Sequence, residues 1–121
     1  MGRRDRRRID AFSHIEVIFL FHLCEDRDVE RGARRPRDNV SLPLVGVLAQ
    51  RVKDRPNHLG VSRCELLRVD QMEIRVVGLD ALDGTPVLDV KPYLSSMVPS
   101  PARFREPNWV QAIMKDYEVI G

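Results

Sequence analysis

Apolar positions come in short runs along this chain, and the spacing inside each run predicts the element it forms. Residues 14–22, His-Ile-Glu-Val-Ile-Phe-Leu-Phe-His, are apolar nearly throughout and rich in β-branched and aromatic side chains. The run is short for a helix, so it predicts a strand buried on both faces. Residues 25–39 (EDRDVERGARRPRDN) mix charges of both signs with a Gly and a Pro and hold little apolar content, which predicts a long solvated loop. A short strand is expected over 44–49. The connection at 51–60 that follows is pinned by Pro56, whose ring fixes φ and drives Arg55 toward extended geometry.

Residues 62–69 and 72–78 flank Asp70-Gln71, and in the second run Met72, Ile74 and Val76 alternate with Glu73, Arg75 and Val77. That period of two predicts a hairpin, and Gln where a tight turn favours Gly predicts a longer or bulged loop. Asp83-Gly84-Thr85-Pro86 makes a further turn, after which a strand over 87–92 ends at Pro92 or lies at an edge. Past a proline-rich extended stretch at 95–107 the period changes. Trp109, Val110, Ile113, Met114 and Tyr117 share one helical face behind Pro107-Asn108. Five or more short strands with no helical pattern between them predict a mainly β fold over residues 11–121, a small barrel or closed sheet with a C-terminal helix.

Length adds that one core suffices, since 121 residues suit a single domain. A net charge of +2 is too small to imply nucleic acid, but residues 1–10 carry five Arg against two Asp and form a basic arm, read as a solvated leader. The longest apolar runs, such as 17–21, fall far short of the ~18 residues that span a bilayer, and no secretory signal follows the basic start, so the chain reads as cytoplasmic. Cys24 and Cys64 have no partner at metal-ligand spacing, which predicts reduced, buried thiols and no metal.

The sequence holds no G-x-G-x-x-G, P-loop, H-E-x-x-H or G-x-S-x-G, which argues against a Rossmann cofactor site or a metallohydrolase. What remains is a set of polar residues at strand ends: His14, His22, Arg51, Arg55, Asn57, Asp80, Asp83, Asp89 and Lys91. Each has an ordinary reading. His22 is a half-buried imidazole, and Arg51 and Arg55 pair with acidic loop residues. Asp80 and Asp83 form turns, and Asp89 and Lys91 make a local ion pair.

Together the residues say more. FSHIEVIFLFH (12–22), RPR (35–37), GVLAQR (46–51), RPNHLGVS (55–62), GLDALDGTPVLDVKPY (78–93) and WVQAIMKDY (109–117) resemble, in order, the TsaA-like β-barrel methyltransferases, which include the tRNA N6-threonylcarbamoyladenosine methyltransferase. The resemblance implies a small β-barrel, a homodimer and S-adenosylmethionine as methyl donor. Its implied activity is N6-methylation of a threonylcarbamoyladenosine-type tRNA nucleoside beside the anticodon. Carried onto this sequence, the family's cofactor contacts fall on Phe21, His22, Arg51, Val61, Asp80, Ala81, Leu82, Asp83 and Gly84. A ligand bearing an ammonium, a carboxylate and an adenine needs acidic or carbonyl groups, a cation such as Arg51, and an apolar wall. The resemblance assigns no catalytic residue, and His22 or a carboxylate are both open as the base.

The basic arm and the loop at 27–37 are expected on tRNA phosphates. Within the motifs, His58 stands where the family usually has Pro, Leu48 where it has Phe, and Gln50 where many members have Thr. The family's Pro-Arg-Gln turn does not occur ahead of Phe12, so the chain is expected to be short at its N-terminus relative to the family. An alternative of another class is a non-catalytic or incomplete barrel that binds a nucleotide-like ligand or a protein partner; binding of the methyl donor separates the two.

Overall fold

The structure is a computed structural model that describes residues 5–21, 32–53 and 55–120, the last six by backbone alone. His22, Cys24 and the first part of the expected loop at 25–39 lie outside the described residues.

Strand β1 (His14–Leu20) lies inside the main sheet, and its alternation follows from its side chains: Ile15, Val17 and Phe19 are buried while His14, Glu16, Ile18 and Leu20 are half-buried. The expectation of burial on both faces is therefore corrected. Glu16 belongs to the second face, where it meets Arg63 at 3.8 Å, and a carboxylate is not taken into a dry layer. β1 pairs antiparallel with β4 (Leu59–Val69), placing Ile15 opposite Cys64 and Phe19 opposite Gly60. On its other side it pairs with β6 (Val87–Pro92), with a register shift between Ile18 and Phe19. The far half of β4 pairs with β5 (Ile74–Val77), giving the order β5-β4-β1-β6.

Ile15, Val17, Phe19 and Cys64 form the buried core, and Leu66, Ile74, Val76, Val87 and Val90 pack around it. The fold is thus mainly β with a C-terminal helix, α1 (Asn108–Ile120). Among the described residues the sheet is open, with β5 and β6 at its two edges and a hollow of about 470 Å³ over the core face between them. The basic arm is not simply solvated: Ile9 packs on the core, and Arg6 donates to the Asp70 carbonyl at 3.1 Å.

Three expectations need local correction. The strand over 44–49 shrinks to β3 (Val45–Gly46), paired with β2 (Ala33–Arg34), because Val47 turns inward in a 3₁₀ turn over Val47–Ala49. Gln50 locks this unit: its buried amide donates to the carbonyls of Arg34 (2.8 Å) and Val45 (2.9 Å). In the β4–β5 hairpin, Asp70 Oδ1 accepts from the N–H groups of Met72 and Glu73, each at 2.8 Å. The loop is longer than two residues, as expected, and the correction is to the strand expected from 72: Met72, 88% exposed, belongs to the loop, and β5 starts at Ile74. The stretch at 95–107 is not wholly extended, since Ser95–Met97 form a 3₁₀ turn. The Asp89–Lys91 ion pair is present at 3.1 Å.

Candidate functional site

The end of β1, the turn after β3, the start of β4 and the segment leading away from β5 converge at one end of the sheet. Two backbone bonds fix the end of β1: the Leu20 N–H donates to Pro86 O (3.0 Å) and the Phe21 N–H to His58 O (2.7 Å). Phe19 and Phe21, two residues apart and so on one side of the chain, meet edge to face with centroids 5.3 Å apart. β4 runs hard against this pair at Gly60. A Cβ there would lie 2.6 Å from the Phe19 ring and 2.9 Å from that of Phe21, so the approach demands glycine. His58 takes a left-handed φ of 57°, and Asn57 Oδ1 receives the Leu59 N–H at 3.1 Å, which closes the connection into β4.

Among the described residues, Arg51 and Arg55 make none of the acidic surface pairs expected of them. Arg51 donates to the Val61 carbonyl at 3.3 Å, and Arg55 donates to the carbonyls of Val47 (3.2 Å) and Gln50. Main-chain oxygens thus orient both guanidinium groups at the turn that delivers them. Asp80 is tied in from the other side, its N–H donating to the hydroxyl of buried Ser62 at 3.1 Å.

These contacts enclose a cleft of about 540 Å³ lined by Phe19, Phe21, Arg51, Arg55, Val61 and Asp80 among others. Four of the residues expected at the site, Phe21, Arg51, Val61 and Asp80, come together in it. Ala81, Leu82, Asp83 and Gly84 do not. They line a separate hollow of about 410 Å³ that meets the first at Phe19. The division has a local cause: Thr85 bonds back to Leu82 O through its N–H (3.1 Å) and hydroxyl (2.5 Å), and Gly84 at φ +82° completes a turn that carries 81–84 away from Arg51. His22 lies outside the described residues.

A second cleft of about 570 Å³ shares Gln50, Arg51, Val61, Ser62 and Asp80 with the first and is lined in addition by Arg37, Arg63 and the α1 residues Trp109, Ile113 and Met114. Sequence reasoning missed Phe19, Gly60, Ser62 and Gln50 as site residues. The spacing of Phe19 to Phe21 was a usable signal, whereas nothing local marks Gly60 or Gln50, whose roles depend on β1 and β2. Among the described residues no cluster of His, Cys, Asp and Glu could hold a metal ion, and no helix is long and apolar enough to cross a membrane.

The chain is similar in sequence and fold to known proteins. Residues 3–97 match the family model of the tRNA-methyltransferase O N-terminal domain. A probable S-adenosyl-L-methionine-binding protein of Methanothermobacter thermautotrophicus is 44% identical over 88 residues, 70% of this chain and 58% of that protein. The tRNA (adenine(37)-N6)-methyltransferase of Escherichia coli is 39% identical over 92 residues, 73% of this chain and 39% of the enzyme. A crystal structure of TrmO from Pseudomonas aeruginosa superposes with a TM-score of 0.63 at 33% identity, covering 86% of this chain and 40% of that one. The chain therefore spans between about a fifth and about three-fifths of the length of the relatives it matches. With the match running through most of its length, from the arm to the turn after β6, the chain belongs to the tRNA-methyltransferase O N-terminal domain family.

Proposed function

We propose that this chain is the donor-binding domain of an S-adenosylmethionine-dependent tRNA methyltransferase that acts at N6 of a threonylcarbamoyladenosine-type nucleoside beside the anticodon. The observation that carries the reading is the convergence of Phe21, Arg51, Val61 and Asp80 on one cleft. Relatives described as S-adenosyl-L-methionine-binding and as tRNA (adenine(37)-N6)-methyltransferases support the donor and a tRNA adenine as acceptor, and the threonylcarbamoyl group is added by the resemblance of the motifs. The donor set suits the ligand: a guanidinium for a carboxylate, a carboxylate for an ammonium, and an aromatic wall for a base. The volume lies in the ordinary range for small-molecule sites, roughly 300 to 1,000 Å³.

When bound, S-adenosylmethionine supplies a methyl group on a sulfonium. Arg51 binds and orients its carboxylate, the guanidinium being steadied by Val61 O. Phe19 and Phe21 exclude water from one wall. Because charge disperses as the methyl group moves to nitrogen, alignment and desolvation supply the rate, and no side-chain nucleophile is needed. The nitrogen's proton then passes to a base, for which the expected site residues offer His22 or a carboxylate. Ala81 to Gly84 act from the adjoining hollow. The reading also includes a two-fold homodimer working in the cytoplasm.

Calorimetric titration with S-adenosylmethionine and S-adenosylhomocysteine tests the donor, and methyl transfer to tRNA with and without the threonylcarbamoyl group tests the acceptor. Binding with transfer only to the threonylcarbamoylated tRNA is expected. Binding without transfer makes the chain a non-catalytic module, and absence of binding overturns the reading.

A further inference from the structure

We propose that the second cleft is the pocket for the acceptor nucleotide and that Trp109 is the platform on which the target base stacks. The proposal rests on the donor reading of the first cleft and adds the place and the means by which RNA is held. The two clefts share Arg51, Val61, Ser62 and Asp80, so occupants of the two would be neighbours across those side chains. Opposite this wall stand Trp109, Ile113 and Met114, an apolar strip of α1 that the sheet core does not absorb; Met114 is 40% exposed.

Charge selects the occupant. Among the described residues, Arg37, Arg51 and Arg63 line the second cleft together with the carboxylate of Asp80, and guanidinium groups gathered at one cleft suit a phosphodiester. Arg63 is held in place, its guanidinium 4.1 Å over the Tyr93 ring and 3.8 Å from Glu16. A flat indole among guanidinium groups, in about 570 Å³, takes the face of an unstacked purine and leaves its phosphates to the arginines. The occupant is one anionic purine nucleotide swung out of an RNA loop.

Trp109 is the single tryptophan in the sequence, so intrinsic fluorescence reports it alone. The full chain is titrated with an anticodon stem-loop carrying threonylcarbamoyladenosine, with binding followed separately by anisotropy of a label on the RNA. Emission should fall on saturation, with S-adenosylhomocysteine present or absent. A stem-loop abasic at that position should leave emission unchanged. Trp109→Ala should weaken stem-loop binding by about tenfold. Trp109→Phe should restore most of it, and both variants should keep the calorimetric affinity for S-adenosylhomocysteine within about twofold. Arg63→Gln should lower the salt dependence of RNA binding by about one charge.

Equal quenching by the abasic loop, competition between S-adenosylhomocysteine and RNA, or loss of S-adenosylhomocysteine binding in Trp109→Ala as large as the loss of RNA binding would overturn the proposal. Base-dependent quenching in a protein that binds no S-adenosylhomocysteine would remove the donor assignment and leave this pocket standing.

Discussion

Gly60 decides how near β4 comes to the aromatic pair, and the spare room there is negative: an added methyl would stand 2.6 Å from a Phe19 ring that is itself only 3% exposed. Gly60→Ala should therefore cost about 1 to 3 kcal/mol of stability through overpacking and should weaken S-adenosylhomocysteine binding as the rings shift. Urea unfolding with an unchanged midpoint would refute this. Arg51→Ala removes a charge-assisted bond of ~1.5 to 3 kcal/mol, seen in calorimetry as a tenfold to hundredfold loss of affinity for the donor product. Arg51→Lys should recover only part, since an ammonium lacks the fork that serves Val61 O and a carboxylate together. In the core, burial pushes the Cys64 thiol up, so it stays protonated at neutral pH and should resist thiol reagents until the protein unfolds. Because the fold favours the neutral thiol, this group's contribution to stability declines as pH rises past the ordinary thiol range.

At the scale of elements, the β4–β5 hairpin is governed by Asp70, which receives two backbone N–H groups in its loop and donates its own to Glu73 O at 3.0 Å. The N–H groups of Glu73 and Met72, with Arg68 beside them, hold its carboxyl below the ordinary carboxylate range. The stabilisation is then fully present above the unfolded value, near ~4, and is lost as pH falls through the lowered folded value. Asp70→Ala should loosen the hairpin at all pH values. Asp70→Asn keeps one acceptor oxygen and should hold the turn while flattening the acid limb of a melting-temperature profile; an unchanged limb would assign the acid sensitivity elsewhere.

The hairpin was legible in sequence because alternation and a local cap define it within a dozen residues. The ladder of β2 and β3 was not, because a Gln50 amide bonding Arg34 across sixteen positions shapes it. Of the candidate site, Arg51 and Asp80 stood out as polar residues at strand ends, but their assignment to a cofactor came only through family likeness. The separation of 81–84 from them depends on a turn whose direction no periodicity encodes, and the helical spacing of Trp109 is the same whether its face covers core, partner or ligand.

For the whole molecule, the proposed homodimer should appear in light scattering as one species of twice 13.9 kDa, and a monomer at high micromolar concentration would remove it. Phe104 and Val98, more than half exposed in the segment that leads to α1, are apolar surface such an interface would cover. The open sheet gives this expectation weight, since two edge strands flank a hollow lined by Ile74, Val76, Val87 and Val90.

One further consequence follows from the length of β4. Its eleven residues pair with β1 along Leu59 to Glu65 and with β5 only from Glu65 onward, so among the described residues no strand lies on the far side of its first half, where both clefts open. Backbone amides alternate in direction along a strand, so this half carries two interleaved populations. Those turned toward β1 exchange with deuterium only when the sheet opens, while those turned toward the clefts exchange far sooner. Occupation of either cleft would slow the second set and leave the first untouched. This stretch of backbone is thus an isotopic clock, read residue by residue, for whatever comes to rest beside it.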